Sequence, residues 1–166
     1  MTKKFVMIPI GIAILAAILQ VIDQLLVGVL PIANNGFGWI AFQNWALYFL
    51  AGSTAKGGLK SLIGAATGVV ASILIISFAG VLGSIGFWAV PTSILILVGP
   101  VIWLEKVKWL DFVPSIFIGA GVFFALMNYW DNTTFAISAQ ITLLYTAIGL
   151  VFGYVTVELR KWYESK

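Results

Sequence analysis

The 26 residues from position 5 to 30 carry a single charged side chain, Asp23. At 1.5 Å per residue a helix of that length exceeds the roughly 30 Å of a bilayer's hydrocarbon core. Five more apolar segments follow, at 38–51, 61–82, 85–104, 112–127 and 135–157. A crossing helix needs about 20 residues, so the first, third, fourth and sixth segments qualify and the second and fifth are short. The composition leaves little room for another solution. Of 166 residues 61% are hydrophobic and 9% charged, whereas a water-soluble domain carries about a quarter charged residues to cover its surface. The reading is an all-α integral membrane protein, forming one polytopic domain over residues 1–166.

Lys3 and Lys4 ahead of an apolar run resemble a signal peptide. The run is far longer than the 7–15 residues, roughly, of a signal's apolar region, and no small-residue cleavage site stands out. The segment is expected to remain as the first transmembrane helix.

Six spans account for the charges. With Lys3 and Lys4 inside, the remaining basic residues fall at Lys56 and Lys60, at Lys106 and Lys108, and at Arg160, Lys161 and Lys166. Six crossings put all nine on one face, as the positive-inside bias requires. Removing either short segment would strand lysines outside. Both termini are therefore expected in the cytoplasm, and the basic excess is read as membrane orientation and not as nucleic-acid binding.

Shifting the sequence by 75 residues lays Phe37, Phe42, Tyr48 and Phe49 on Phe112, Phe117, Phe123 and Phe124, and Thr67 on Thr142. The short second segment then coincides with the short fifth. Units at 5–79 and 80–157 would each hold three spans and point in opposite directions. Such a 3+3 inverted repeat is a recurrent transporter architecture, with the substrate path at the short, corresponding segments. The alternative is two unrelated helices of similar composition.

The stretch Gly38-Trp39 through Trp45-Ala46-Leu47-Tyr48-Phe49, the run Gly57-Gly58-Leu59-Lys60, and Phe112-Val113-Pro114-Ser115 through Gly119-Ala120 carry a resemblance. They resemble the YcdZ-like family of small bacterial inner-membrane proteins, catalogued as a domain of unknown function. The resemblance implies a multi-pass protein of the bacterial cytoplasmic membrane. It assigns no activity and no site residues.

Asp23 is the residue whose position most needs explaining. It lies about ten ångströms inside the end of the first segment, with Gln20 and Gln24 at helical spacing on its face. An acidic side chain at depth faces a bundle interior or a water-filled cavity, and no basic residue is placed to pair with it. It is either part of a polar path or cation site, or part of a hydrogen-bonding stripe between helices. Gln43 and Asn44 stand among Phe42, Trp45, Tyr48 and Phe49, a combination that suits a path for a small polar solute and equally suits interhelical packing. Ser138, Thr142, Tyr145 and Thr146 place hydroxyls along one side of the sixth segment, again as lining or as packing. The candidate path comprises Gln20, Asp23, Gln43, Asn44, Tyr48, Phe49, Phe123, Phe124, Thr142 and Tyr145.

Gly64 with Gly68, and Gly149 with Gly153, have the four-residue spacing that lets helix backbones approach. Gly119 and Gly121 are expected to act similarly. Pro91, read as lying within the fourth span, is expected to kink it.

There is no cysteine and no histidine, which removes disulfides, thiolate chemistry and the usual zinc sites. No paired buried carboxylates, nucleophile–base pair or phosphate-binding glycine loop is visible. The expectation is a channel or facilitator for a small polar solute, not an enzyme, without cofactor or metal, and homo-oligomeric in the bilayer. The alternative is a non-transporting accessory subunit that binds another membrane protein.

Overall fold

The computed structural model describes residues 3–165. Lys166 and the side chains of Lys3 and Lys4, invoked above for orientation, lie outside the described residues. Six α-helices are present: α1 (Lys3–Val27), α2 (Gly38–Leu50), α3 (Ala55–Val81), α4 (Ala89–Trp103), α5 (Val113–Tyr129) and α6 (Phe135–Glu164). Two short 3₁₀ segments, Gly83–Trp88 and Leu104–Lys106, flank α4. No strand occurs among the described residues. Helices are what an apolar chain forms in lipid, because each backbone donor and acceptor is satisfied within its own segment.

Four stretches are long and apolar enough to cross a membrane: Met7–Val27, Ala55–Val81, Gly83–Lys106 and Phe135–Glu164. The other two helices have 13 residues (α2) and 17 residues (α5), about 20 Å and 26 Å at the helical rise. Both fall below the roughly 30 Å of a full crossing, and they correspond to the short second and fifth segments of the sequence.

Breaks between helices fall where the backbone chemistry allows. The α1–α2 connection contains Pro31 and Gly36, the latter at φ 100°, a conformation glycine adopts without the steric cost of a β-carbon. Pro114 occupies the first turn of α5, where a missing N–H leaves no helical acceptor unserved. The same reasoning corrects the reading of Pro91. It is the third residue of α4, at a position where proline starts a helix rather than kinking it. The proline in the body of α4 is Pro100.

The chain forms two compact units. Unit 1 comprises Met1–Gly58 and Leu144–Lys166, and unit 2 comprises Leu59–Leu143. In unit 1, α2 lies on α6 across Gly149 and Gly153. A β-carbon at Gly149 would run into the Ala41 carbonyl and come within 2.8 Å of Asn44 Cβ, and one at Gly153 would come within 2.5 Å of Tyr48 Cβ. Trp45 adds an indole hydrogen bond to Thr156 Oγ1 at 3.0 Å and a ring contact with Phe152.

In unit 2, α5 lies on α3 across Gly64 and Gly68. A β-carbon at Gly64 would meet Ser115 Oγ, and one at Gly68 the carbonyl of Ile116 and the N–H of Ala120. From the other side Gly119 approaches the Ala65 backbone, whereas Gly121 faces open space. The four-residue glycine spacing thus marks real close approaches. Gly119 shares in them and Gly121 does not, because the two are two residues apart on a helix and point in different directions.

Candidate functional site

The polar core of unit 1 is built on three helices. Asp23 on α1 is 3% exposed. Its Oδ1 accepts hydrogen bonds from the Tyr145 hydroxyl on α6 at 2.7 Å and from the Phe37 backbone N–H at 2.8 Å. Gln20 Nε2 lies 3.4 Å from Oδ2, at the long limit of such a bond. The rings of Phe37 and Tyr145 meet edge to face at 5.9 Å. Phe37 immediately precedes α2, so one carboxyl group fastens α1, the start of α2 and α6 together.

The connecting loop is shaped to reach that carboxyl. Asn34 holds it internally, its Nδ2 donating to the Ile32 carbonyl at 2.8 Å and its Oδ1 accepting from the Gly36 N–H at 2.8 Å. Gly36 and Gly38 then flank the carboxyl closely; a β-carbon on Gly36 would collide with Asp23 Oδ2, and one on Gly38 would lie 2.9 Å from it. The sequence reading set Asp23 about ten ångströms from the end of its helix. The structure ends α1 at Val27, one turn later and about 6 Å along the axis. Asp23 therefore belongs to the helix end and its loop, and its oxygens are occupied by protein donors.

Asn44 and Thr146 differ from Asp23 in this respect. Both are fully buried. Asn44 Nδ2 donates to the Ile40 carbonyl one turn back at 2.9 Å, but Asn44 Oδ1 has no partner, and neither has Thr146 Oγ1. Asn44 sits on the α2–α6 seam beside Gly149. Thr146 stands one turn before Gly149 on the buried side of α6, which also includes Tyr145, Leu150 and Gly153. An unsatisfied buried polar group costs about 1–3 kcal/mol, so two in one region need a physical reason.

The ten residues proposed from sequence divide between the units. Asp23, Asn44, Tyr48 and Tyr145 lie in the interior of unit 1, and Tyr145 and Asp23 are in direct contact. Gln20 is exposed, at the edge of that cluster, and Gln43 is exposed while its neighbour Asn44 is buried; consecutive helical residues do not face the same way. Phe49 is 41% exposed and lines an apolar groove with Ile12, Ala16 and Phe42. In unit 2, Phe123 is buried against Phe135, Phe124 lines an apolar groove with Ile75, Ile94 and Phe117, and Thr142 donates to the Ser138 carbonyl of its own helix.

Sequence reasoning did not anticipate Phe37, Gly36 and Gly38 as partners of Asp23. The segment bounds marked the loop between positions 30 and 38, but nothing in the order of residues links it to a carboxyl fourteen positions earlier. Thr156, the acceptor for Trp45, was likewise unmarked.

No curated protein and no solved structure matches the chain. A family model does, over residues 10–160. The chain belongs to that family, described as Protein of unknown function (DUF1097).

Proposed function

We propose that this protein is a facilitator for a small polar solute, in the bacterial cytoplasmic membrane to which the YcdZ-like resemblance points. The observation that carries the reading is the pair of buried, unpartnered oxygens, Asn44 Oδ1 and Thr146 Oγ1, among buried polar side chains such as Asp23, Ser72 and Thr142 that do have protein partners. A guest that supplies the hydrogen bond would account for a polar atom kept without a protein partner at a helix seam. Asp23 and Tyr145 hold the surrounding helices in place.

In this proposal the chain crosses six times, with α2 and α5 completing short or tilted passages and both termini in the cytoplasm. The inverted repeat pairs α1–α3 with α4–α6. Each unit then draws α1 and α2, or α4 and α5, from one repeat and most of its long glycine-bearing helix from the other. In both units a short helix rests on two glycines four residues apart, which supports the pairing. Because the chain lacks cysteine, Asn34→Cys should react with an impermeant thiol reagent from outside intact cells and Lys56→Cys only after permeabilisation. The reverse pattern would remove this topology. Homo-oligomerisation is proposed on the small size of the chain, and a mass measurement in mild detergent that finds monomer throughout would count against it.

Solute flux is the direct test. Proteoliposomes containing the protein are expected to swell faster than empty ones for at least one small polar compound in a stopped-flow screen. A second reading, an accessory subunit, is favoured by the apolar groove of about 280 Å³ in unit 1, lined by Ile12, Ala16, Phe42 and Phe49, which could seat a helix of another membrane protein. Equal swelling with and without protein across the whole panel would leave that reading in place of transport.

A further inference from the structure

We infer that the solute is a neutral molecule bearing N–H or O–H donors, of the class of urea and short amides, and that Asn44 and Thr146 are the residues that select it. This rests on the transport reading above and assigns its substrate class.

What each open atom can do fixes the chemistry of its guest. Asn44 is oriented by its bond to the Ile40 carbonyl, which uses an amide donor and leaves Oδ1 free. A carbonyl oxygen accepts and cannot donate. Its missing partner must therefore bring a hydrogen. Thr146 Oγ1 can accept or donate, so it serves the same guest from either side. Asn44 of α2 borders Gly149, and Thr146 stands one turn before Gly149 on the buried side of α6.

Charge selects against ions. Among the described residues no lysine or arginine is buried, and the buried acid is Asp23. Its Oδ1 already serves Tyr145 and Phe37, and Oδ2 is closed in by Gly36 and Gly38. An anion would find no countercharge in this core, and a cation would have to break the contacts that join three segments. A neutral donor needs neither.

The matched solutes are urea and acetamide against dimethyl sulfoxide, which is of similar size and has acceptors but no donors. Wild-type protein in proteoliposomes should speed urea and acetamide over empty liposomes and leave dimethyl sulfoxide at the background rate. Asn44→Leu and Thr146→Val keep shape and remove the open oxygens. Each should slow urea flux by about two- to tenfold, the worth of one net hydrogen bond. Thr146→Val should leave the unfolding temperature in detergent unchanged, since its hydroxyl has no protein partner, and Asn44→Leu should lower it by no more than the loss of the Nδ2 bond to the Ile40 carbonyl of its own helix. That split between flux and stability is the signature of a solute contact.

Three results would overturn the inference while transport stands. Dimethyl sulfoxide could pass as fast as urea, which denies selection by donors. The variants could leave urea flux unchanged, which makes the open oxygens a packing defect. Thr146→Val could lose stability and flux together, which shows that its hydroxyl has a protein partner after all. If wild-type protein passes no solute at all, the transport reading itself fails, and the inference fails with it.

Discussion

The two units share a building plan and differ in what they bury. Each rests a short helix on a glycine pair of a long one. In unit 2 the buried polar side chains are serines and threonines, and four of them are bonded close to home: Ser72 donates to Gly68, Ser93 to Ala89, Ser115 to Phe112 and Thr142 to Ser138, each within its own helix or its first turn, while Ser138 reaches Met127 Sδ on α5 and Ser72 lies 3.5 Å from the Ala120 carbonyl. Unit 1 buries an aspartate and an asparagine. Its polar contacts span the sequence, with Asp23 joined to Tyr145 and Trp45 to Thr156, and both open oxygens fall in it. A hydroxyl returned to its own helix costs little in lipid and specifies nothing beyond that helix. A carboxyl shared by three segments specifies which segments meet. Unit 2 is held by shape, and unit 1 by shape together with a particular set of polar partners.

The glycine plan predicts the largest effects, and it should hold in both units alike. Gly149→Ala and Gly68→Ala place a β-carbon against backbone atoms of the facing helix, which have no rotamer to yield. Each should cost about 3 kcal/mol, the upper part of the usual range for overpacking. Gly121→Ala, facing open space, should be neutral or stabilising by up to about 1 kcal/mol through helix propensity. Thermal unfolding in a fixed detergent gives the ranking. An equal response at Gly68 and Gly121 would show that the α3–α5 approach is looser than described.

Polar specificity predicts the next effects, and these should appear in unit 1. Asp23→Ala leaves the Phe37 N–H and the Tyr145 hydroxyl without an acceptor and should cost about 3 kcal/mol, from penalties of about 1–3 kcal/mol for each stranded group. Tyr145→Phe removes one donor, keeps the ring against Phe37 and should cost about 1.5 kcal/mol. The double variant should cost less than the sum, because the hydroxyl stranded by the first change is absent in the second. Additive losses would separate Asp23 from Tyr145 in function as well as in energy.

Unit 2 supplies the smallest effect. Ser72→Ala removes a hydroxyl bonded to its own helix at 2.9 Å, with only a long 3.5 Å approach to the Ala120 carbonyl of α5, and should shift stability by no more than about 0.5 kcal/mol. A loss as large as that of Tyr145→Phe would erase the contrast between the units.

The apolar runs identified the helices, and their lengths picked out α2 and α5 as too short for a full crossing, whereas the 15-residue α4 reaches crossing length together with its flanking 3₁₀ segments. The glycine spacings located the close approaches, except at Gly121. Asp23 and Tyr145 were each marked as buried polar residues, but their contact was not, because 122 positions separate them. Gln43 and Asn44 read alike in the sequence and part in the structure, one exposed and one buried.

What the sequence determined by itself is the local physics of this chain. Hydrocarbon forbids unpaired backbone, so long apolar runs become helices whatever their neighbours, and loops fall where glycine, proline and charge interrupt them. Only the tertiary structure decided which polar atoms meet and which are left open. That choice depends on how the helices are rotated and docked, a property of pairs of segments that no single segment encodes. It is why an acid near a helix end is a fastening point between α1, α2 and α6, and why an asparagine and a threonine of ordinary appearance hold unpartnered oxygens in unit 1.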